Sequence, residues 1–465
     1  MTPEKPRKWR RRFKVFAVGL LALVCATALV AWGLKLHFGK AGGRELAAVA
    51  AKLDADEPGW RLEPLVKRYN ESAPPPERNS ASVVLKVFDA LPEDWRRLDG
   101  NRVPDEKERN RRPGPKRADA MAALRDPTAA ARTLARTLKD VPDGRYPYEF
   151  HADPFKMTWP HTDKLLAVSH LLRHEAALNL TAGDPDAAVG AIHAGLNAAR
   201  SVGETPIWMA QMVAGASAMM AHGTLGLVLG CAEPKSGLAE LQAAFVTEAD
   251  VPRMRYVWLG ERAFGDAMYS AFESGKKTPA ELAEMWQYGW GGRQLLEQYQ
   301  TMSRGDHAEL IRVQTDKIAA TRLPWHEQLA ALDAVRPPTS DLGHPLGAHW
   351  SRTSANNRQV ADRLRVRADL LAASAAIACE RFRQKAGRWP AALDDIPKDI
   401  LPTVPADPFD NAPLRLRVFP DGLGVVVGRH KAESTQVADQ TDRVAFRLWN
   451  PDHRNLPPPD PKGKP

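Results

Sequence analysis

Two histidines in His170-Leu171-Leu172-Arg173-His174-Glu175 come closest to a chemical site by type and spacing. Imidazoles at i and i+4 share one helix face and could hold a metal ion between them. The zinc-hydrolase orders place a glutamate inside the pair, as His-Glu-x-x-His or His-x-x-Glu-His, but position 173 is arginine. Two imidazoles without a third ligand do not close a metal shell. Both histidines also lie opposite the apolar stripe Leu165, Val168, Leu172 and Ala176, which predicts that they face solvent. A second cluster, His151, Asp153, His161 and Asp163, surrounds Asp153-Pro154-Phe155 and Trp159-Pro160. Its spacing suits either a loop metal site or a packed loop of aromatics and prolines. His344 and His349, in Gly343-His344-Pro345 and Ala348-His349-Trp350, carry the same two readings. There is no GxSxG, Walker loop or GxGxxG, so a nucleophile elbow and the usual nucleotide cradles have no support. No catalytic residue is assigned and no cofactor is expected. His170, His174, His151, Asp153 and His161 stand as the metal candidates.

Alanine- and leucine-rich stretches dominate the chain to about residue 386 and predict a mainly α fold with a small β element, α+β overall. Helices are expected at 43–53, 80–91, 117–139, 162–180, 185–202, 206–229, 252–273, 279–288, 294–323 and 354–385. Asn79 or Ser80 can cap the second, and Asp184 followed by Pro185 gives an N-cap with proline in the first turn. The pair 162–180 and 185–202, joined by Ala182-Gly183-Asp184-Pro185, reads as an αα-hairpin of tetratricopeptide type with no second copy along the chain. The 13 tryptophans often neighbour proline or glycine, a pattern that anchors loops onto helices or builds a carbohydrate platform. Residues 72–76 and 98–117 read as flexible loops, the second carrying a net positive charge.

The first forty residues bear on location. Lys5, Arg7, Lys8, Arg10, Arg11, Arg12 and Lys14 precede an uncharged apolar run, Val15 to Leu34, long enough to cross a hydrocarbon core of roughly 30 Å. The run exceeds the roughly 7 to 15 residues of a signal-peptide core. Cleavage at Ala26-Thr27-Ala28, a lipid on Cys25 and twin-arginine export through Arg10-Arg11 are alternative readings of the same segment. The preferred one is a basic cytoplasmic tail (1–14), a transmembrane anchor (15–36), and an extracytoplasmic bulk in a bacterial envelope. Six of the nine net positive charges fall in residues 1–14 and Lys35 and Lys40 carry two more, leaving one for residues 41–465. A nearly neutral body argues against a nucleic-acid partner and leaves the membrane and other envelope proteins. Ile207 to Ala232, uncharged throughout, is either a buried central helix or a second crossing. Cys231 and Cys379 could pair or remain buried thiols.

A helical domain is expected over 41–350 and a long helix with a small β module over 351–450. A disordered proline-rich tail over 451–465 would complete the chain. The module runs from the helix end at Glu380-Arg381-Phe382-Arg383 through Gly387-Arg388-Trp389-Pro390 and Asp407-Pro408-Phe409-Asp410. It closes with a hairpin around Asp421-Gly422 and a further strand near Val444 to Leu448. These roughly 50 residues resemble the C-terminal part of the major pseudopilins of type II secretion. That resemblance implies a helix-plus-hairpin module and, as an alternative function, a minor component of a secretion-like apparatus. The calcium loop of that family is replaced by Arg429-His430-Lys431-Ala432-Glu433, and the apolar helix does not lead directly into the module. Calcium binding and filament assembly are therefore not carried over. As a whole, the chain resembles bacterial single-pass membrane-anchored proteins, which implies an architecture and no activity. The leading expectation is a binding or scaffolding protein; a metal-dependent hydrolase built from scattered His and Asp residues is the alternative.

Overall fold

The computed structural model describes residues 6–93, 95, 109–111, 113–151, 153–158, 161–285, 290–300, 302–336, 357–428 and 442–457. Its longest element, α1 (Pro6–Asp56), carries the apolar run and continues without a break into the body. The apolar run is long enough to cross a membrane, and none of its most apolar stretch is buried against the rest of the chain. The expected helix at 43–53 is thus the last third of α1. Pro58 lacks the N–H a further turn needs, and Gly59, at φ +78°, reverses the chain.

Next come α2 (Leu62–Glu71), α3 (Ser80–Asp89), α4 (Pro115–Ala122) and α5 (Ala129–Arg136), then the hairpin α6 (Thr162–Thr181) and α7 (Pro185–Arg200). Asn79 caps α3 by accepting the Ala81 N–H at 3.0 Å, and Asp184 caps α7 by accepting that of Ala187 at 2.9 Å. The single helix expected over 117–139 is two, parted around Pro127, with a 3-10 turn at Thr137–Asp140. Further on lie α8 (Trp208–Cys231), α9 (Leu238–Ala249), α10 (Arg253–Glu273), α11 (Pro279–Met285), α12 (Trp290–Tyr299), α13 (Ser303–Ala320), α14 (Trp325–Ala334) and α15 (Asn357–Ala386). The helix expected over 294–323 is divided into α12 and α13. The Ser303 hydroxyl turns back to the Gln300 carbonyl at 2.8 Å, and the Gln300 amide donates to the Phe272 carbonyl at 2.7 Å.

The uncharged α8 lies inside the body, where two thirds (67%) of its most apolar window is buried against α6, α7, α15 and the C-terminal sheet. The largest hydrophobic cluster takes residues from α7, α8, α9, α15 and that sheet together; a second joins α2, α3, α5, α6 and α7. The sheet is antiparallel, β1 (Arg415–Phe419), β2 (Gly422–Gly428) and β3 (Asp442–Trp449) in that order, and it packs on α15 and α8. The chain is therefore mainly α with a small three-stranded sheet near its C-terminus.

Two segments expected to be loose are held down where the structure describes them. Leu456 N–H donates to the Asn110 carbonyl at 2.9 Å, Asn455 N–H to the Gly230 carbonyl at 3.1 Å, and Asn110 Nδ2 to the His453 carbonyl at 3.0 Å. Arg109–Arg111 is thus clasped between α8 and residues 453–457, against the flexible loop expected over 98–117. Residues 451–457 form a 3-10 turn and this clasp instead of starting a disordered tail. Backbone hydrogen bonds satisfied by a distant segment left no signature in local composition. Residues 98–108, 112, 429–441 and 458–465 lie outside the described residues.

Arg454 closes the clasp. It donates 3.0 and 2.7 Å hydrogen bonds to the two carboxylate oxygens of Glu380 on α15, a fork-on-fork pair in which both side chains are at most 5% exposed. Glu380 also accepts from Arg383 at 2.7 Å. Burial alone would raise the Glu380 carboxyl, but these two guanidinium groups hold it below its usual range. Removing one partner of such a pair strands the other charge, so Glu380→Ala is expected to cost about 3–5 kcal/mol. Urea unfolding will show this as a lower midpoint, and limited proteolysis as new cleavage near Arg454.

Candidate functional site

The densest set of interacting charges lies where α1 meets the body. Gly42 of α1 sits so close to α13 that a β-carbon there would come within 2.5 Å of the Gly305 backbone nitrogen. Further along, Arg312 pairs with Glu45 and Glu309, Leu53 clusters with Trp60 and Ile311, and Glu57 accepts from Arg322 at 3.0 Å. Residue numbers rise together on both helices, so α1 and α13 run parallel. Trp60, only 2% exposed, plugs the end of this contact and donates its indole N–H to Asp54 at 3.0 Å.

Helix α10 packs antiparallel on the other side of α13, and the seam between them sets polar pairs among apolar contacts such as Trp258 with Ile318 and Phe272 with Leu310. At one end the Lys317 ammonium lies 4.3 Å from the Trp258 ring centre. In the middle the fully buried Arg262 reaches Thr315 at 3.1 Å and crosses to Glu57, the residue that follows α1. At the other end His307, 2% exposed, is bracketed by two carboxylates. Its Nε2 lies 3.1 Å from Asp266 and its Nδ1 3.2 Å from Glu273, and the Tyr269 ring is stacked on it at 5.0 Å. Arg61 Nε approaches Asp266 at 4.0 Å and Arg304 Nε approaches Glu273 at 4.0 Å, so each acid also faces a cation.

An imidazole whose two nitrogens both meet carboxylates is held as the doubly protonated cation. Burial works against that charge, but Asp266 and Glu273 outweigh it and raise the His307 pKa above its ordinary value. Farther along the seam, burial pushes Glu261 up to about 7 and Lys317 down to about 8, each opposed by the charge of the other. Glu261 and Lys317 are thus shifted toward neutrality from opposite sides. The groups of the seam are engaged with one another: Asp266 and Glu273 take opposite sides of the His307 ring instead of converging on one point. Among the described residues no three His, Cys, Asp or Glu side chains are grouped to hold a metal ion.

The candidates drawn from sequence fall elsewhere and apart. His151 is exposed, its Nδ1 accepting the Asp153 N–H at 2.9 Å, while Asp153 pairs with Lys277 of the α10–α11 turn at 2.9 Å. His161 stacks on Tyr146 at 4.6 Å, and burial lowers its pKa. His170 is half-buried. His174, expected at the surface, is 2% exposed with its ring edge-on to Trp95 at 6.0 Å. The reason is that α6 is covered on both sides, by α7 and α8 and by α3 and α5, so the face opposite its apolar stripe is not free. His344 and His349 lie outside the described residues. Cys231 and Cys379 are separate buried thiols. A small cavity of about 10 Å³, room for about one water, lies between α6, α7 and α8 and is lined by Ser169, Arg173, Ser217 and Thr224 among others. Sequence reasoning missed His307. The available signal was Asp266, Tyr269 and Glu273 at i, i+3 and i+7, which share one helix face.

No known protein family, curated protein or solved structure matches this chain.

Two outcomes test the seam. His307 binds its proton more tightly folded than unfolded, so its contribution is complete below the unfolded value of 6.5 and is lost as pH rises through the higher folded value. Glu261 acts in the same direction, between its ordinary 4.5 and about 7. Between the wild type and His307→Gln or Glu261→Gln, the difference in melting temperature is therefore expected to shift against the wild type as pH rises through neutrality, whatever the slope that other groups such as His222 and Lys317 add to both. Gly42→Leu forces α1 away from Gly305; proteolysis within 44–57 is expected to increase while the C-terminal clasp stays resistant.

Proposed function

We propose that this protein is a single-pass membrane-anchored binding or scaffolding component of a bacterial envelope, with a cytoplasmic N-terminus and an extracytoplasmic body. The observation that carries this reading is the continuity of α1. One helix passes from an exposed apolar run, preceded by seven basic residues, into a docked segment held by Gly42, Glu45, Leu53 and Glu57. A flexible linker would tether the body; a continuous helix mounts it. The basic flank supports the orientation, since cytoplasmic flanks carry the excess of Lys and Arg. A binding or scaffolding role is supported by the dispersal of His151, Asp153, His161, His170 and His174, and by the engagement of the buried His307 cluster with its own acids.

The test is a topology map with periplasm-active and cytoplasm-active reporters fused after Lys40, Lys235 and Pro465. All three positions are expected to report outside. An outside signal at Lys40 with inside signals at Lys235 and Pro465 would mean that α8 crosses the membrane, and the proposal would fall.

A further inference from the structure

The mounting of the body on α1 also fixes which end of the body faces the bilayer. From Leu34, the last residue of the apolar run, to Gly42, where α1 touches α13, is eight residues, or about 12 Å of helix at 1.5 Å per residue. Because α13 runs parallel to α1, its N-terminal end points back toward the apolar run. Ser303, two residues before Gly305, lies roughly 3 Å closer to the hydrocarbon boundary. Helix α10 runs the other way and brings Glu273 level with Arg304 and His307. The turn that follows, Ser274–Thr278, continues past that level in the same direction. A headgroup layer is about 5–8 Å thick on each side of the hydrocarbon core. The turn thus comes to within a few ångströms of it, and any tilt of α1 brings it closer.

Other described features gather at this end. Lys276 in the turn is exposed. Lys277 pairs with Asp153, which lies three residues from Phe150, 41% exposed, and three from the exposed Lys156. Helices α11 and α12 pack on the same ends through Leu282, Leu296, Tyr269 and Leu310. Exposed lysines close to an anionic membrane surface are attracted to it.

We propose that the α10–α11 turn, with the neighbouring Phe150 and Lys156, rests in the lipid headgroup layer as a second footing beside α1. The inference rests on the reading of residues 15–34 as a membrane span. It assigns the body a fixed underside, bound to phospholipid and not to another protein.

The test uses the unaltered full chain reconstituted into vesicles of phosphatidylcholine and phosphatidylglycerol containing a photoreactive phosphatidylcholine. After irradiation, lipid adducts are mapped by mass spectrometry. Adducts are expected on residues 15–34 and on 274–278, several-fold above those on 319–334 at the far end of α13 and on α14. Adducts on 15–34 without an excess on 274–278 overturn the footing and leave the anchor standing. The absence of adducts on 15–34 overturns the anchor and the footing with it. A second arm replaces Lys276 with a labelled cysteine (Lys276→Cys) and compares it with Ala319→Cys, about 22 Å higher if measured along α13 from Arg304. Quenching by headgroup-spin-labelled lipid is expected at position 276 and not at 319; equal quenching at both overturns the footing.

Discussion

The parallel contact between α1 and α13 is the constraint on which the arrangement of the body depends. A backbone approach at Gly42 and Gly305 lets the two helices lie close enough for Glu45, Leu53 and Glu57 to reach partners on α13 or just beyond it. Once α13 is fixed, α10 is fixed by its antiparallel seam, and α11 and α12 follow by packing on the ends of that pair. The close approach is steric and the pairs around it are electrostatic. The steric part decides where the helices cross, and the ion pairs decide their register, because a one-residue slip would separate Arg262 from Glu57 and His307 from its acids.

Burying that many charges is costly, and replacing paired ions by apolar residues often leaves a protein as stable or more so. The seam between α10 and α13 therefore reads as a device for specificity. An apolar seam of equal area would let α1 dock in several rotations; a row of matched charges accepts one. The same logic holds at the other pole of the body, where Glu380 fixes the position of Arg454 and, through it, the chain end against α8 and α15.

Much of the architecture was legible in the sequence, and the limits have physical causes. The apolar run, the Asp184 cap, the α6–α7 hairpin and the C-terminal strands are local signals, carried by residues a few positions apart. Helices α2, with Pro64 in its first turn, and α14, starting directly after Pro324, were not among the expected elements, although proline is tolerated at both positions. The exposure of His174 was misjudged because periodicity reports one apolar face, whereas α6 is packed on two sides. The bracket around His307 was not legible, since Asp266 and Glu273 sit 41 and 34 positions away and only the packing of α10 on α13 brings them together. The clasp of Arg109–Arg111 by residues 453–457 is the extreme case, with partners more than 340 positions apart.

That separation has a consequence for how the chain is made. Contacts of such long range form last, because a large loop must close before they return any free energy. On the proposed topology, residues 15–34 enter the bilayer early, whereas Gly305 is synthesised 263 positions after Gly42. At ~5–20 residues per second, that is roughly 13–50 s during which the docking face of α1 has no partner. Glu45 and Glu57 on that face keep it tolerable to water through the interval. The body then assembles onto an anchor already in place, and the final step waits for residue 457, when the chain end closes over Arg109–Arg111. A ribosome that stops short of that point leaves an anchored body whose clasp can never shut.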